Sequence, residues 1–491
     1  MQNNSTSIAQ HHPAIYREVL GSCQWVGSAP GVSMYAGEHS VLSGGLSICQ
    51  QVPLRVYVGL EYLHPGDFTL EPSNKPEDHR EFVYPTKEHP EGTFRPVSWS
   101  SRGELSGTGE AQPISSGALS DRFQAAIGAA ASELGLTGAY RFRSLHELRR
   151  SSGSGWSGAF ANALVAALWA AAERGTPGTN AWGVTCEGNT ESIRGLRCTK
   201  DKGQPCEDCR YFLDFNKFAW ELERVFHGKF ASGYATYCGA LACETPLLYA
   251  IAWRNPAADL GKDPGDGSSI PLNEPLADRL VAGAVPVCSL DEWKVAKDRV
   301  DVGLIFSGVT KDTKRSIKKT TTDLDVELAG SFADACDNWP LSSQPRGPFW
   351  LRNGPLFEAR SSSLQNSLAP EQMRHLLLDG LGVAGLRVLH AMLSWCRNED
   401  GGPALLAKAL DRVAGGLSEI GLGWQQADLV RAALLKTFWL ERESFGMKPT
   451  GGAGGGHLLF VAPRMSWDND GNPKEEEEST GGGHWLRLWL P

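Results

Sequence analysis

Three glycine-rich segments, hundreds of residues apart, constrain this chain more than any other feature: SAPGVSMYAGEHSVLSGG (Ser28 to Gly45), SSGSGWSGAFANALVAAL (Ser151 to Leu168) and KPTGGAGGGHLLF (Lys448 to Phe460). Glycine permits close backbone approaches that a Cβ forbids. Each segment places its glycines where a nucleotide phosphate would need such an approach.

The central segment carries the most physics. Gly153 to Gly158 is a glycine-rich turn, and beyond it Phe160, Leu164 and Leu168 recur every fourth residue among alanines, with Gly175 after Glu173 and Arg174 as a stop. That period predicts a helix. A turn of this kind offers an anion unpaired backbone N–H groups and the positive end of the helix dipole. No Gly-Lys-Ser/Thr closes it, so it differs from the loop of the P-loop NTPases. From these residues alone, phosphate binding and a plain tight turn stand side by side.

Order and spacing of the three segments resemble the GHMP small-molecule kinases, a family named for galacto-, homoserine, mevalonate and phosphomevalonate kinases. A fourth segment, FNKFAWELERVFHGKFASG (Phe215 to Gly233), is similar to mevalonate kinase-like members. There a helix reads close to N-K-x-A-x-x-x-E-R-x-x-H-G before a Ser-Gly turn, and Asn216, Lys217, Ala219, Glu223, Arg224, His227, Gly228, Ser232 and Gly233 fall in that register. LIFSGVTKDTKRSIK (Leu304 to Lys318) resembles the family's strand ending in S-G-x-x-x-x-T. LLLDGLGVAGLRVLHAML (Leu376 to Leu393), read as helix, glycine turn and helix, resembles its L-x-x-L-G-V segment.

The resemblance implies an α+β protein of two lobes, the first like the second domain of ribosomal protein S5 and the second ferredoxin-like, with ATP in the cleft. It implies an ATP-dependent kinase that transfers the γ-phosphate to a hydroxyl of a mevalonate-like acid or a sugar. Gly153, Ser154, Gly155, Trp156, Ser157 and Gly158 would bind phosphates, and Glu38 and His39, at the family's Gly-Glu-His signature, would line the acceptor pocket. Glu223 and Ser157 would hold magnesium, which takes hard oxygen ligands, usually one or two carboxylates plus substrate phosphates. Gly452, Gly454 and Gly455 would shape the active-site floor. Without the resemblance, Glu223 reads as a solvated helix carboxylate and Glu38-His39 as a polar turn.

Three positions depart from the family. Val32 stands where a lysine usually follows Ala-Pro-Gly, Ala235 where an aspartate usually follows the Ser-Gly turn, and the loop reads Ser157, Gly158, Ala159, Phe160 instead of ending in Gly-Ser-Ser-Ala. A lost general base costs about a hundred- to ten-thousand-fold in rate. Phosphoryl transfer rests mainly on positioning and charge neutralisation, so turnover can survive. Ser157 would then replace the missing serine, and Lys229, Arg149 or Arg150 the missing lysine. The opposite reading is a nucleotide-binding pseudokinase or scaffold. A weaker one is an ATP-dependent decarboxylase of the superfamily, against which Ala235 also counts.

At 491 residues the chain exceeds one ordinary core. The expected organisation is a loose N-terminus over 1–12, an N-terminal lobe over 13–255 with a Cys-rich insertion at 183–210, a crossover at 256–284, and a C-terminal lobe over 285–491 with a mobile acidic loop at 466–483. A net charge of −9 leaves no electrostatic footprint for nucleic acid. The longest apolar run, Ala163 to Ala172, is too short to span a membrane and no charged leader opens the chain, so a cytoplasmic setting is expected. Cys186, Cys198, Cys206 and Cys209 share the insertion, and the two-residue gap of Cys206-Glu-Asp-Cys209 suits a structural zinc. The alternative is a surface loop of reduced cysteines. No motif reports the acceptor or the oligomeric state, and a dimer is compatible with everything above.

Overall fold

The computed structural model describes residues 8, 12–43, 46–83, 92–97, 99, 121–172, 207–227, 231–241, 245–253, 280–298, 300–307, 370–397, 399, 401–419, 422, 425–437, 445–451, 456–463, 466–467 and 473–474. Helix α1 (Pro13–Leu20) starts on a proline, whose missing N–H would lack a helical acceptor there anyway. Two long strands follow, β1 (Trp25–Ala36) and β2 (Leu46–His64), paired antiparallel from Trp25↔Leu60 to Ala36↔Ile48. Their register shifts between Pro30 and Val32, where proline has no N–H for the ladder.

The chain continues through β3 (Thr69–Pro72), β4 (His79–Val83), β5 (Thr93–Pro96), α2 (Asp121–Glu133), β6 (Ala139–His146), α3 (Trp156–Ala172), α4 (Glu207–His227), α5 (Tyr234–Ala240), β7 (Leu247–Trp253) and β8 (Leu280–Pro286). These strands form an eight-stranded sheet in the order β5-β4-β6-β2-β7-β8, with β1 also on β2 and β3 also on β6. β2 is the spine, pairing with β7 near its start and with β6 over its second half. Helix α3 is buried all round, because β1, α4 and α5 pack on it from different sides. The predicted stripe of Phe160, Leu164 and Leu168 is therefore only part of its buried surface.

The second lobe comprises α6 (Leu290–Lys297), β9 (Val300–Phe306), α7 (Pro370–Cys396), α8 (Gly402–Glu419), α9 (Gln425–Thr437), β10 (Gly446–Pro449) and β11 (His457–Pro463), followed by the short pair β12 (Ser466–Trp467) and β13 (Pro473–Lys474). Its antiparallel sheet runs β10-β11-β9. Both faces of β11 are covered, as strand alternation demands: Leu459 and Val461 join Trp293, Val388 and Trp395, whereas Leu458 and Phe460 join Leu434, Phe445 and Met447. The lobes meet along β1, which gives Val32 and Met34 to the first core and Tyr35 and Ala36 to the second. The α+β class expected from the sequence is what the chain adopts.

Several local expectations change. Residues 376–393 contain no turn: α7 runs unbroken through Gly380, Gly382 and Gly385. Burial of Leu381, Ala384, Val388 and Ala391 in the second core outweighs the roughly 1 kcal/mol that each interior glycine costs a helix. The end of the expected crossover is strand, since β8 pairs with β7 from Trp253↔Leu280 to Leu247↔Pro286. Within the stretch read as a loose N-terminus, Ile8 is buried and its N–H donates to the Tyr57 hydroxyl at 3.3 Å. Gly228, Lys229, Gly452, Gly454, Gly455, Cys186, Cys198 and Cys206 lie outside the described residues, and Cys209 is described by its backbone alone, in α4. Among the described residues no helix is long and apolar enough to cross a membrane.

Candidate functional site

The turn before α3 alternates in hand: φ is positive at Ser151 (55°), Gly153 (79°) and Gly155 (67°), and not at Ser152 or Ser154. Such alternation turns successive N–H groups into one concavity, the backbone nest that holds anions. Two of its carbonyls are taken by the protein: Val32 N–H donates to Ser154 at 3.0 Å and His457 N–H to Ser152 at 2.6 Å. The first helical bond runs from Ala159 N–H to the Gly155 carbonyl at 2.9 Å. The N–H groups of Trp156, Ser157 and Gly158 therefore have no acceptor within the helix and sit at its positive end.

Two residues of α4, one helical turn apart, reach Ser157 in the first turn of α3. The Ser157 hydroxyl donates to Glu223 Oε1 at 3.3 Å, and its oxygen lies 2.7 Å from His227 Nε2. Glu223 is only 4% exposed and its Oε2 has no hydrogen-bond partner among the described residues. Burial pushes its carboxyl up to about 7, and the Ser157 bond offsets this only in part. A buried carboxylate oxygen without a donor is costly unless a cation satisfies it. One carboxylate and one hydroxyl beside a backbone nest fit magnesium, an ion usually bound by one or two carboxylates with its other positions left to phosphates and water. Among the described residues no cluster of three or more His, Cys, Asp or Glu offers a self-sufficient metal site. The sequence reading gave His227 no role, although its spacing of four from Glu223 puts both on one helix face.

The surroundings of the turn on the side of β1 and α5 are apolar. Val32, Ala159 and Ala235 are 0%, 0% and 1% exposed. Ala235 faces the first turn of α3, where a Cβ at Gly158 would stand 2.6 Å from its own. Val32 packs against the other end of the turn, its N–H 3.0 Å from where a Cβ at Gly155 would be. Beside Ala235, burial holds the Tyr234 phenol well above its ordinary range, and the charges of Cys49, Glu223 and Glu38 add to the effect.

Glu38 and His39, expected to line a pocket, are both buried, in a tight turn with φ of 105° at Gly37 and 59° at His39. The Glu38 carboxylate forms an ion pair with Lys448 of β10, whose Nζ also donates to the Met34 carbonyl at 3.0 Å. Burial lowers the Lys448 pKa while Glu38 opposes the shift. No local pattern marked Lys448, which the sequence shows only as the start of the third glycine segment. Of the basic residues offered in place of a lysine at position 32, Arg150 is committed to Glu81, its backbone N–H 2.6 Å from Oε1. Arg149 lies 4.2 Å over the Phe306 ring.

The three glycine segments do converge. Met34 N–H donates to Thr450 Oγ1 at 2.9 Å, Thr450 N–H to the His457 carbonyl at 3.1 Å, and His457 Nδ1 lies 2.5 Å from Ser154 Oγ.

No family model and no curated protein matches this chain. Among solved structures, it is similar to L. major mevalonate kinase in complex with R-mevalonate, at 13% identity and a TM-score of 0.42 over 89% of this chain and 86% of that one. It is similar to Lactococcus lactis galactokinase complexed with galactose, at 11% identity and a TM-score of 0.46 over 93% and 90% of the two chains. It is similar also to Streptococcus pneumoniae phosphomevalonate kinase in complex with phosphomevalonate and AMPPNP, at 10% identity and a TM-score of 0.43 over 89% and 92%. At identities this low the chemistry must be read from this chain's own side chains.

Proposed function

We propose that this chain binds ATP and magnesium at the turn formed by Gly153 to Gly158 and transfers the γ-phosphate to a hydroxyl of a small molecule, with mevalonate-like acids ahead of sugars. The observation that carries this reading is the buried Glu223 carboxylate, one oxygen of which has no hydrogen-bond partner among the described residues, beside the Ser157 hydroxyl at the N-terminus of α3. The likeness of the Glu223 helix to mevalonate kinase-like sequences supports the choice of acceptor. Glu223 and Ser157 would hold magnesium, which supplies neutralisation of phosphate charge when bound. The nest and the first-turn N–H groups bind and orient the phosphates. The acceptor oxygen forms the new bond to phosphorus as the bond to the ADP oxygen breaks, and the hydroxyl proton passes to water, because Ala235 offers no base. A loose transition state tolerates this.

Calorimetry of ATP binding with and without magnesium, on the natural chain and on Glu223→Gln, tests the reading. Binding should depend on magnesium in the natural chain and lose that dependence in the variant. Unchanged magnesium-dependent binding in Glu223→Gln would sink it. ADP release against mevalonate, its phosphates, homoserine and common sugars then identifies the acceptor.

A second reading, nucleotide binding without transfer, is favoured by the close-packed Val32, Ala159 and Ala235. Magnesium-dependent binding without ADP release against any acceptor, together with transfer appearing in Ala235→Asp, would select it.

A further inference from the structure

We propose that His457 is a positioning residue for the phosphate-binding turn, clamping it from the opposite lobe through Ser154. The proposal rests on reading that turn as a nucleotide site. His457 is the first residue of β11 and stands 303 positions from Ser154. It grips the turn at alternate residues: its backbone N–H holds the Ser152 carbonyl at 2.6 Å and its ring Nδ1 lies 2.5 Å from Ser154 Oγ. Ser152, Ser154 and His457 are all buried.

The clamp is itself anchored on three sides. The His457 carbonyl accepts Thr450 N–H, and its ring meets Phe306 edge-on at 5.5 Å. The preceding Gly456 carbonyl accepts both the N–H and the hydroxyl of Ser307, at 3.0 and 2.7 Å. Gly456 must lack a side chain, because its φ is 86° and a Cβ would collide with the Ser152 carbonyl.

Physical need for a clamp comes from the turn. Ser151 holds a left-handed φ that disfavours any residue with a Cβ, and the alternation beyond it makes no ladder of its own. Such a backbone persists only where its surroundings over-determine it. Burial, helped by the nearby Arg149 charge, keeps the ring neutral, with one nitrogen able to accept and the other to donate. Ordering the turn before the nucleotide arrives removes that cost from binding.

The test uses His457→Phe, His457→Asn and Ser154→Ala in the full chain. Hydrogen–deuterium exchange of the peptide spanning residues 149–159 is measured without ligand, and magnesium-AMPPNP affinity by calorimetry. His457→Phe and Ser154→Ala should each raise exchange and weaken AMPPNP by about ten- to a hundredfold, and the double variant should lose little more than either. His457→Asn, which keeps a hydrogen-bonding group near the δ position, should stay within about threefold of the natural chain. Unchanged exchange in Ser154→Ala, or His457→Asn as impaired as His457→Phe, overturns the proposal. Should His457→Phe fail to fold, Ser154→Ala and His457→Asn decide. If the natural chain binds no AMPPNP, the nucleotide reading fails and exchange alone still decides whether His457 sets the turn.

Discussion

Lys448 and Glu38, 410 positions apart in the chain, form an ion pair with side chains 0% and 1% exposed, joining β10 to the turn after β1. Desolvating two charges offsets most of their attraction, so such a pair adds little net stability. Breaking it is another matter, because the surviving charge stays buried. Here it locks the end of β1, where the two cores meet, to the strand that leads into the third glycine segment.

Lys448→Met should therefore destabilise the protein by about 3–5 kcal/mol, and Glu38→Gln by less, because the amide keeps hydrogen-bonding capacity. The double variant should recover much of the loss. Urea unfolding of the three variants measures this, and additive losses would show that the two side chains do not act as a pair.

Glu223 makes the metal-free protein less stable as pH rises. Its folded pKa, about 7, lies above its ordinary 4.5, so the folded state keeps a proton that the unfolded state has released. That stabilisation is fully present below pH 4.5 and is lost as pH rises through 7. Glu223→Gln removes the dependence, so in EDTA at pH 8 the variant should be more stable than the natural chain by on the order of 3 kcal/mol, a gain that shrinks towards pH 5. Urea midpoints at both pH values decide it, and an equal difference at the two would contradict the assignment.

Three buried histidines act in the opposite sense. Burial lowers His79 and His457 to about 3 and His146 well below 6.5. The unfolded state therefore takes up protons first, and the stability of the neutral rings, whole above pH 6.5, drains away as pH falls. With Glu223 releasing one proton against three taken up, stability between pH 6.5 and 5 should fall by roughly 3 kcal/mol per pH unit at its steepest. Proton uptake on unfolding, measured at pH 5.5, should be close to two, and a value near zero would refute it.

Gly158 touches α5 so closely that a Cβ would lie 2.6 Å from the Ala235 Cβ and 2.8 Å from the Ala235 carbonyl carbon. Gly158→Ala must separate α3 from α5 at the site and should cost about 1–3 kcal/mol while weakening AMPPNP. Ala235→Gly in the same chain should restore part of both. Thermal melting and calorimetry read the two effects, and a Gly158→Ala protein as stable as the natural chain would mean that the helices yield freely.

Legible in the residues alone is the helix that follows the second glycine segment, whereas the α+β class is implied by the resemblance of the motifs to a known family. Glycine placement and apolar period act over a few residues, so they are legible without partners. Even there α7 misled, because its glycines advertise a turn that packing against the second core overrules. Tertiary structure alone decided that Glu38 meets Lys448, that His457 holds Ser154, that His227 joins Glu223 on Ser157, and that Val32 and Ala235 close an apolar wall. These contacts join separate segments of the chain, and the burial that sets their protonation exists only once both lobes have packed.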